Sequence, residues 1–202
     1  MNLINFIISF ILLIIAMSVH EFAHGFLAYK LGDSTAKYSG RLTLNPLAHI
    51  DPIWTIAVPF ILYLTSGGRF VFGAAKPIPI NYWALKNPKR DIIWVGLSGP
   101  LANFIFAALL AILTRPMPET LLRALLLELI VINVVLGVFN LIPLPPLDGS
   151  RVLAGLLPEN LARAYAAIEP YGFVILMLLF WFGGFGSLIW PIVESILRLM
   201  GF

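Results

Sequence analysis

From Leu3 to Val19 the chain carries no ionisable side chain, and it then places His20, Glu21 and His24 at the end of that run. An apolar stretch of this kind satisfies the requirement of about 20 residues for a helical membrane crossing. An acidic group at the centre of such a helix costs about 2.5–3.5 kcal/mol. A group that expensive is kept for its chemistry, so the fold has to bring partners to it.

Composition agrees with a bilayer setting. Of 202 residues, 60% are hydrophobic and only 11% charged, where a soluble domain carries about 25%. The chain reads as a polytopic membrane protein, one unit over 1–202 with no length left for a soluble domain. Its net charge of +3 is then no nucleic-acid footprint, because membrane proteins collect Lys and Arg in cytoplasmic loops. Cysteine is absent, which excludes a disulfide framework, a thiol nucleophile and a Cys-based metal site. The N-terminus lacks a basic region and a small-residue cleavage site, so an uncleaved span is expected.

Four stretches, about 3–31, 92–113, 121–142 and 173–199, are predicted to cross. The last contains Gly183-Gly184-Phe185-Gly186 and Pro191, so it is either a broken helix or a span followed by an interfacial helix. A fifth stretch, 53–65, would be about 20 Å long as a helix and is interrupted by Pro59; it reads as re-entrant or interfacial. Segments 32–52, 66–91 and 145–170 then share one side, and that side holds Lys30, Lys37, Arg41, Arg69, Lys76, Lys86, Lys89, Arg90, Arg151 and Arg163. The opposite connection offers Arg115 and Arg123. The positive-inside rule therefore places the N-terminus outside and these loops in the cytoplasm. Between the first two spans, Lys37, Ser39, Arg41 and Thr43 alternate with Tyr38, Gly40, Leu42 and Leu44, a period of two that predicts a strand. Residues 70–80 are a second candidate, restricted to an edge by Pro77 and Pro79.

His20 and His24, four residues apart, project from one face of a helix and can share a metal ion. Glu21 beside them is placed to take a proton from water at that metal. Two of the chain's three histidines fall in this pentapeptide. A catalytic zinc site needs a third protein ligand and an open position. Candidates are His49, Asp51 and the remaining carboxylates, with Asp148 the best placed. It follows the run Asn140-Leu-Ile-Pro-Leu-Pro-Pro-Leu, whose prolines end the third span. If 53–65 does not cross, Asp148 reaches the inner face at a depth comparable to His24; if it does, the two lie some 20–30 Å apart. Charge bias and metal geometry choose the same topology.

At these residues the chain resembles the site-2 protease family of zinc intramembrane metalloproteases. The resemblance rests on His20-Glu21-Phe22-Ala23-His24, Asn45-Pro46-Leu47-Ala48-His49, Gly99-Pro100-Leu101-Ala102-Asn103 and the approach from Asn140 to Leu147-Asp148-Gly149. It implies one zinc per chain held by His20, His24 and Asp148, with Glu21 as general base. It also implies a multi-pass cell-membrane protease acting on transmembrane protein substrates near the cytoplasmic face. The form is the compact one, without room for PDZ or CBS domains. The expected fold is an all-α polytopic bundle with a three-helix catalytic core over about 1–152, a C-terminal helical segment over about 171–200 and short membrane-associated β-strands.

Other residues carry weaker expectations. Gly96, Gly99 and Asn103 share one helix face, and Asn133, Gly137 and Asn140 another. Helix packing is expected of Gly96, Gly99 and Asn133. Asn140, close before Asp148, is a candidate to polarise the scissile carbonyl or stabilise its oxyanion. His49 and Asp51 read as loop residues, and Glu128 as reaching the outer interface near Arg123. The competing function is a non-catalytic membrane protein that binds metal or sequesters membrane proteins. Glu21 argues against it, since a structural site needs no acid beside its ligands. Expected partners are the lipid bilayer and membrane-protein substrates, without nucleic acid; a homo-oligomer is left open.

Overall fold

The computed structural model describes residues 2–68 and 73–202, with the side chains at 180, 184 and 185 left aside. In chain order its helices are α1 (Leu3–Lys30), the single turn α2 (Thr35–Tyr38), α3 (Val58–Ser66), α4 (Pro88–Thr114), α5 (Leu121–Asn140), α6 (Asp148–Leu156), α7 (Glu159–Ala166), α8 (Glu169–Trp181) and α9 (Gly184–Met200). Helices α1, α4 and α5 are long and apolar enough to cross a membrane. They contain 28, 27 and 20 residues. At a rise of about 1.5 Å per residue the shortest spans about 30 Å, the thickness of the hydrocarbon core.

Local chemistry sets the ends of these helices. Asn2 caps α1 by accepting from the Asn5 N–H at 2.8 Å. Pro88 opens α4 at a position where a missing N–H costs nothing. Thr120 caps α5 by accepting from the Arg123 N–H at 3.2 Å. Helix α4 is central and packs on α1, α5 and α6. Small residues permit the close approach: a Cβ on Gly96 would stand 3.1 Å from Asp148 O, and one on Gly137 2.7 Å from the Phe104 ring. The packing role expected of Gly96 is thus the observed one. Ala16, Ala107, Ile130 and Val134 fill the space between the three helices.

The stretch around 53–65 forms a π-helical turn, Pro52–Ala57, running into α3. Together they form an apolar helix shorter than a crossing. Asp51 caps it, accepting from the Ile53 and Trp54 N–H groups at 2.9 Å each. Those bonds, Trp54's first, hold the Asp51 carboxyl below its ordinary range.

The C-terminal stretch is broken, one of the two forms expected: α8 and α9 meet at Gly183, whose φ of 70° is left-handed. Gly172 on α8 lies against Pro145, where a Cβ would fall 2.1 Å from the carbonyl oxygen. At the other end of the bundle, Arg115 donates to Met200 O at 3.3 Å. The pair therefore starts beside the loop after α5 and finishes beside the loop after α4.

The predicted strands are not formed; among the described residues there is none. Residues 35–38 make the helical turn α2, started by Asp33 accepting from the Thr35 N–H at 2.9 Å. Gly40, at φ 68°, ends it. These start and stop signals outweigh the alternation of side chains. Of the second candidate, residues 70–72 lie outside the described residues. Its remainder, 73–80, bonds to helical turns instead of a partner strand: Ala74 N–H donates to Trp54 O at 3.1 Å and Lys76 N–H to His49 O at 2.9 Å. Pro77 and Pro79 supply no N–H for a ladder.

Candidate metal centre

The four-residue spacing on α1 stacks His20 and His24 one turn apart, with ring centroids 4.6 Å apart and planes crossing at 82°. Both are buried. Asp148 comes from the far end of α5, through a proline-rich turn that leaves Leu147 extended. It is the first residue of α6, where the helix N-terminus favours a carboxylate. Gly149 lets this turn press onto the end of α5, since a Cβ there would lie 2.2 Å from Leu141 O.

Three atoms converge. His20 Nε2 is 2.9 Å and His24 Nε2 3.0 Å from Asp148 Oδ2, and the two nitrogens are 3.0 Å from each other. The opposite ring nitrogens are occupied: His20 Nδ1 donates to Asn103 Oδ1 at 2.6 Å and His24 Nδ1 to Val95 O at 2.7 Å. Both of those oxygens only accept, so each Nδ1 carries a proton, and in the neutral imidazole each Nε2 offers its lone pair. Two ring nitrogens and a carboxylate oxygen thus face one another in a buried space, the donor set of a shared metal ion. Tetrahedral zinc with bonds of about 2.0–2.1 Å separates its ligand atoms by about 3.3 Å. The residues fit such an ion. Gly99 on α4 keeps the space open, because a Cβ there would lie 2.4 Å from His24 Nε2 and 2.6 Å from His20 Nε2.

Glu21 stands beside the cluster, half-buried, and its Oε2 accepts from the Ile78 N–H at 2.7 Å. The extended segment carrying Ile78 is held in turn by Arg41, whose Nη2 donates to Lys76 O at 2.7 Å. Behind Asp148, Arg151 lies 3.4 Å from Oδ1. Its guanidinium sits over the Tyr82 ring, 5.6 Å from the centroid. Burial pushes the Tyr82 hydroxyl above its ordinary pKa.

The structure thus brings His20, His24 and Asp148 together and sets Glu21 at their edge. Asn140 lies outside the cluster, its Nδ2 donating to Leu136 O one turn back at 3.0 Å. His49 is buried against the loop, with Nε2 bonded to Thr43 O at 2.8 Å, and Asp51 caps the next helix. Glu128 does not pair with Arg123; it accepts from Ser9 Oγ on α1, while Arg123 pairs with Glu119. Gly99 does more than pack, since it faces the imidazoles, while Asn133 bonds Asn103 across the helix contact at 2.7 Å, as a packing asparagine does. Asn103, the partner of His20, is set four residues from Gly99, the same spacing as the two histidines.

Comparison with known proteins places this geometry. The profile of peptidase family M50 matches residues 114–180. The chain is 39% identical over 203 residues to YwhC of Bacillus subtilis (strain 168), a protein provisionally named a zinc metalloprotease; the match covers 94% of this chain and 89% of that one. It is 31% identical over 187 residues to Rip2 of Mycobacterium tuberculosis (strain H37Rv), likewise provisionally named, covering 88% and 70%. Zinc metalloprotease MJ0392 of Methanocaldococcus jannaschii is 28% identical over 184 residues, covering 89% of this chain and 44% of that one. No solved structure matches. With relatives aligned along nearly its whole length, the chain belongs to peptidase family M50, the site-2 protease family of membrane metallopeptidases.

Proposed function

We propose that the chain hydrolyses peptide bonds in or near transmembrane segments of membrane-protein substrates, with one zinc held by His20, His24 and Asp148. The convergence of the two Nε2 atoms and Asp148 Oδ2 to about 3 Å carries this reading. Bound there, zinc supplies a Lewis acid that polarises the substrate carbonyl and acidifies water. Glu21 takes the proton of the attacking water and returns it to the leaving amine. Packing of α1, α4 and α5 around the cluster keeps bulk solvent away from that transfer. Asn140, near the end of α5, is the proposed donor to the carbonyl oxygen; its amide has to leave Leu136 O to reach it. The excess of Lys and Arg on segments 32–52, 66–91 and 145–170 supports a cytoplasmic position for the active site and an outer N-terminus.

Glu21→Gln, reconstituted in vesicles with a helical substrate, is the test. It retains zinc and loses cleavage by about 10²–10⁴-fold, the contribution of a positioned base. Continued cleavage would remove Glu21 from that role.

A further inference from the structure

We infer that Asn103 and Asn133 form a relay of fixed polarity that positions His20 for the metal, so that zinc affinity is set partly from α5, which contributes no ligand to the cluster. The inference rests on the zinc reading above. Both asparagines are fully buried, at 0% exposure, so each amide has to match donors to acceptors with no water to correct an error.

The order of atoms follows from two backbone carbonyls. Leu129 O only accepts, so the Asn133 atom 2.8 Å from it is Nδ2. That turns Asn133 Oδ1 toward Asn103, whose Nδ2 donates to it at 2.7 Å. The same Nδ2 lies 3.2 Å from Ala16 O on α1, a second carbonyl that fixes the orientation independently. What remains of the Asn103 amide is Oδ1, and it faces His20 Nδ1 at 2.6 Å. Reversing either amide would set acceptor against acceptor or donor against donor. In the neutral imidazole the proton of His20 is thereby confined to Nδ1, and Nε2 presents its lone pair to the cluster.

His24 reaches the same state by another route. Its Nδ1 is bonded to the main-chain oxygen of Val95, to which Ser98 Oγ also donates at 2.7 Å. Main chain cannot flip, whereas a relay of two side chains can be cut by substitution. One histidine is therefore tunable and the other is its internal control. Partners of this kind behind a metal ligand are worth about 10–100-fold in metal affinity.

The test uses the full chain in nanodiscs, wild type beside Asn103→Leu and Asn133→Leu. Zinc affinity is read by chelator competition, and imidazole tautomers by ¹⁵N resonance in the metal-free protein above the histidine titration. Asn103→Leu lowers zinc affinity by about 10–100-fold and spreads the His20 signals over both tautomers, while those of His24 keep the proton on Nδ1. Asn133→Leu, which leaves the His20 partner in place, gives the same changes at smaller size and carries the test if Asn103→Leu does not fold. If wild type binds zinc and both variants bind within about twofold of it with an unchanged His20 tautomer, the relay is overturned and the zinc reading stands. If wild type takes up no zinc, both are overturned.

Discussion

The two walls of the site are built from different material. On the metal side, side chains from α1, α4 and α6 are buried, and each ring nitrogen not aimed at the metal has a fixed acceptor. On the Glu21 side the carboxylate meets one main-chain N–H, offered by an extended segment that is held by a half-exposed arginine and the main-chain carbonyls of His49 and Trp54. Helix packing holds His20, His24 and Asp148 together whatever else is present. The wall beside Glu21 rests on hydrogen bonds that can be exchanged one at a time, each worth about 0.5–3 kcal/mol.

The sharpest way to break this contrast is Gly99→Ala. The new methyl group would stand within 2.6 Å of both Nε2 atoms, and in a rigid wall it has nowhere to go. Zinc content of the purified protein is expected to fall by more than about 100-fold in affinity, beyond what loss of a supporting partner costs, and cleavage with it. Retained zinc would show that the imidazoles can move aside. A smaller effect is expected from Asn140→Leu, with zinc content unchanged and kcat lowered about 10²-fold, the cost of one oxyanion donor. An unchanged kcat would assign Asn140 to its helix alone. Smallest is Arg41→Met on the other wall. It leaves zinc binding intact and speeds hydrogen exchange at the Ile78 N–H about tenfold, the worth of one charged hydrogen bond. Equal protection would mean that the segment is held by something other than Arg41.

Much of the metal wall is legible in the residues. The long apolar runs mark α1, α4 and α5 within a few residues of their ends, and the four-residue histidine spacing is meaningful on a helix wherever that helix sits. Asp148 could be singled out because prolines end α5 just before it. Asn103 was harder, since its bond to His20 joins residues 83 apart and depends on how α4 is rotated about its axis. The Ile78 contact has no signature at all, being a main-chain N–H that any residue but proline offers. The strand expected at 37–44 failed for a local reason. A period of two over eight residues is a weak signal beside the Asp33 turn onto the Thr35 N–H and a left-handed Gly40.

The central claim is that His20, His24 and Asp148, and not His49, surround one zinc. Zinc X-ray absorption on the full chain in a bilayer, compared between wild type, Asp148→Ala and His49→Ala, tests it most directly. The account predicts one zinc per chain with two imidazoles and oxygen ligands at about 2.0–2.2 Å, an oxygen shell altered by Asp148→Ala, and no change in His49→Ala. A spectrum with three imidazoles that loses one in His49→Ala, or a chain that takes up no zinc, would contradict it.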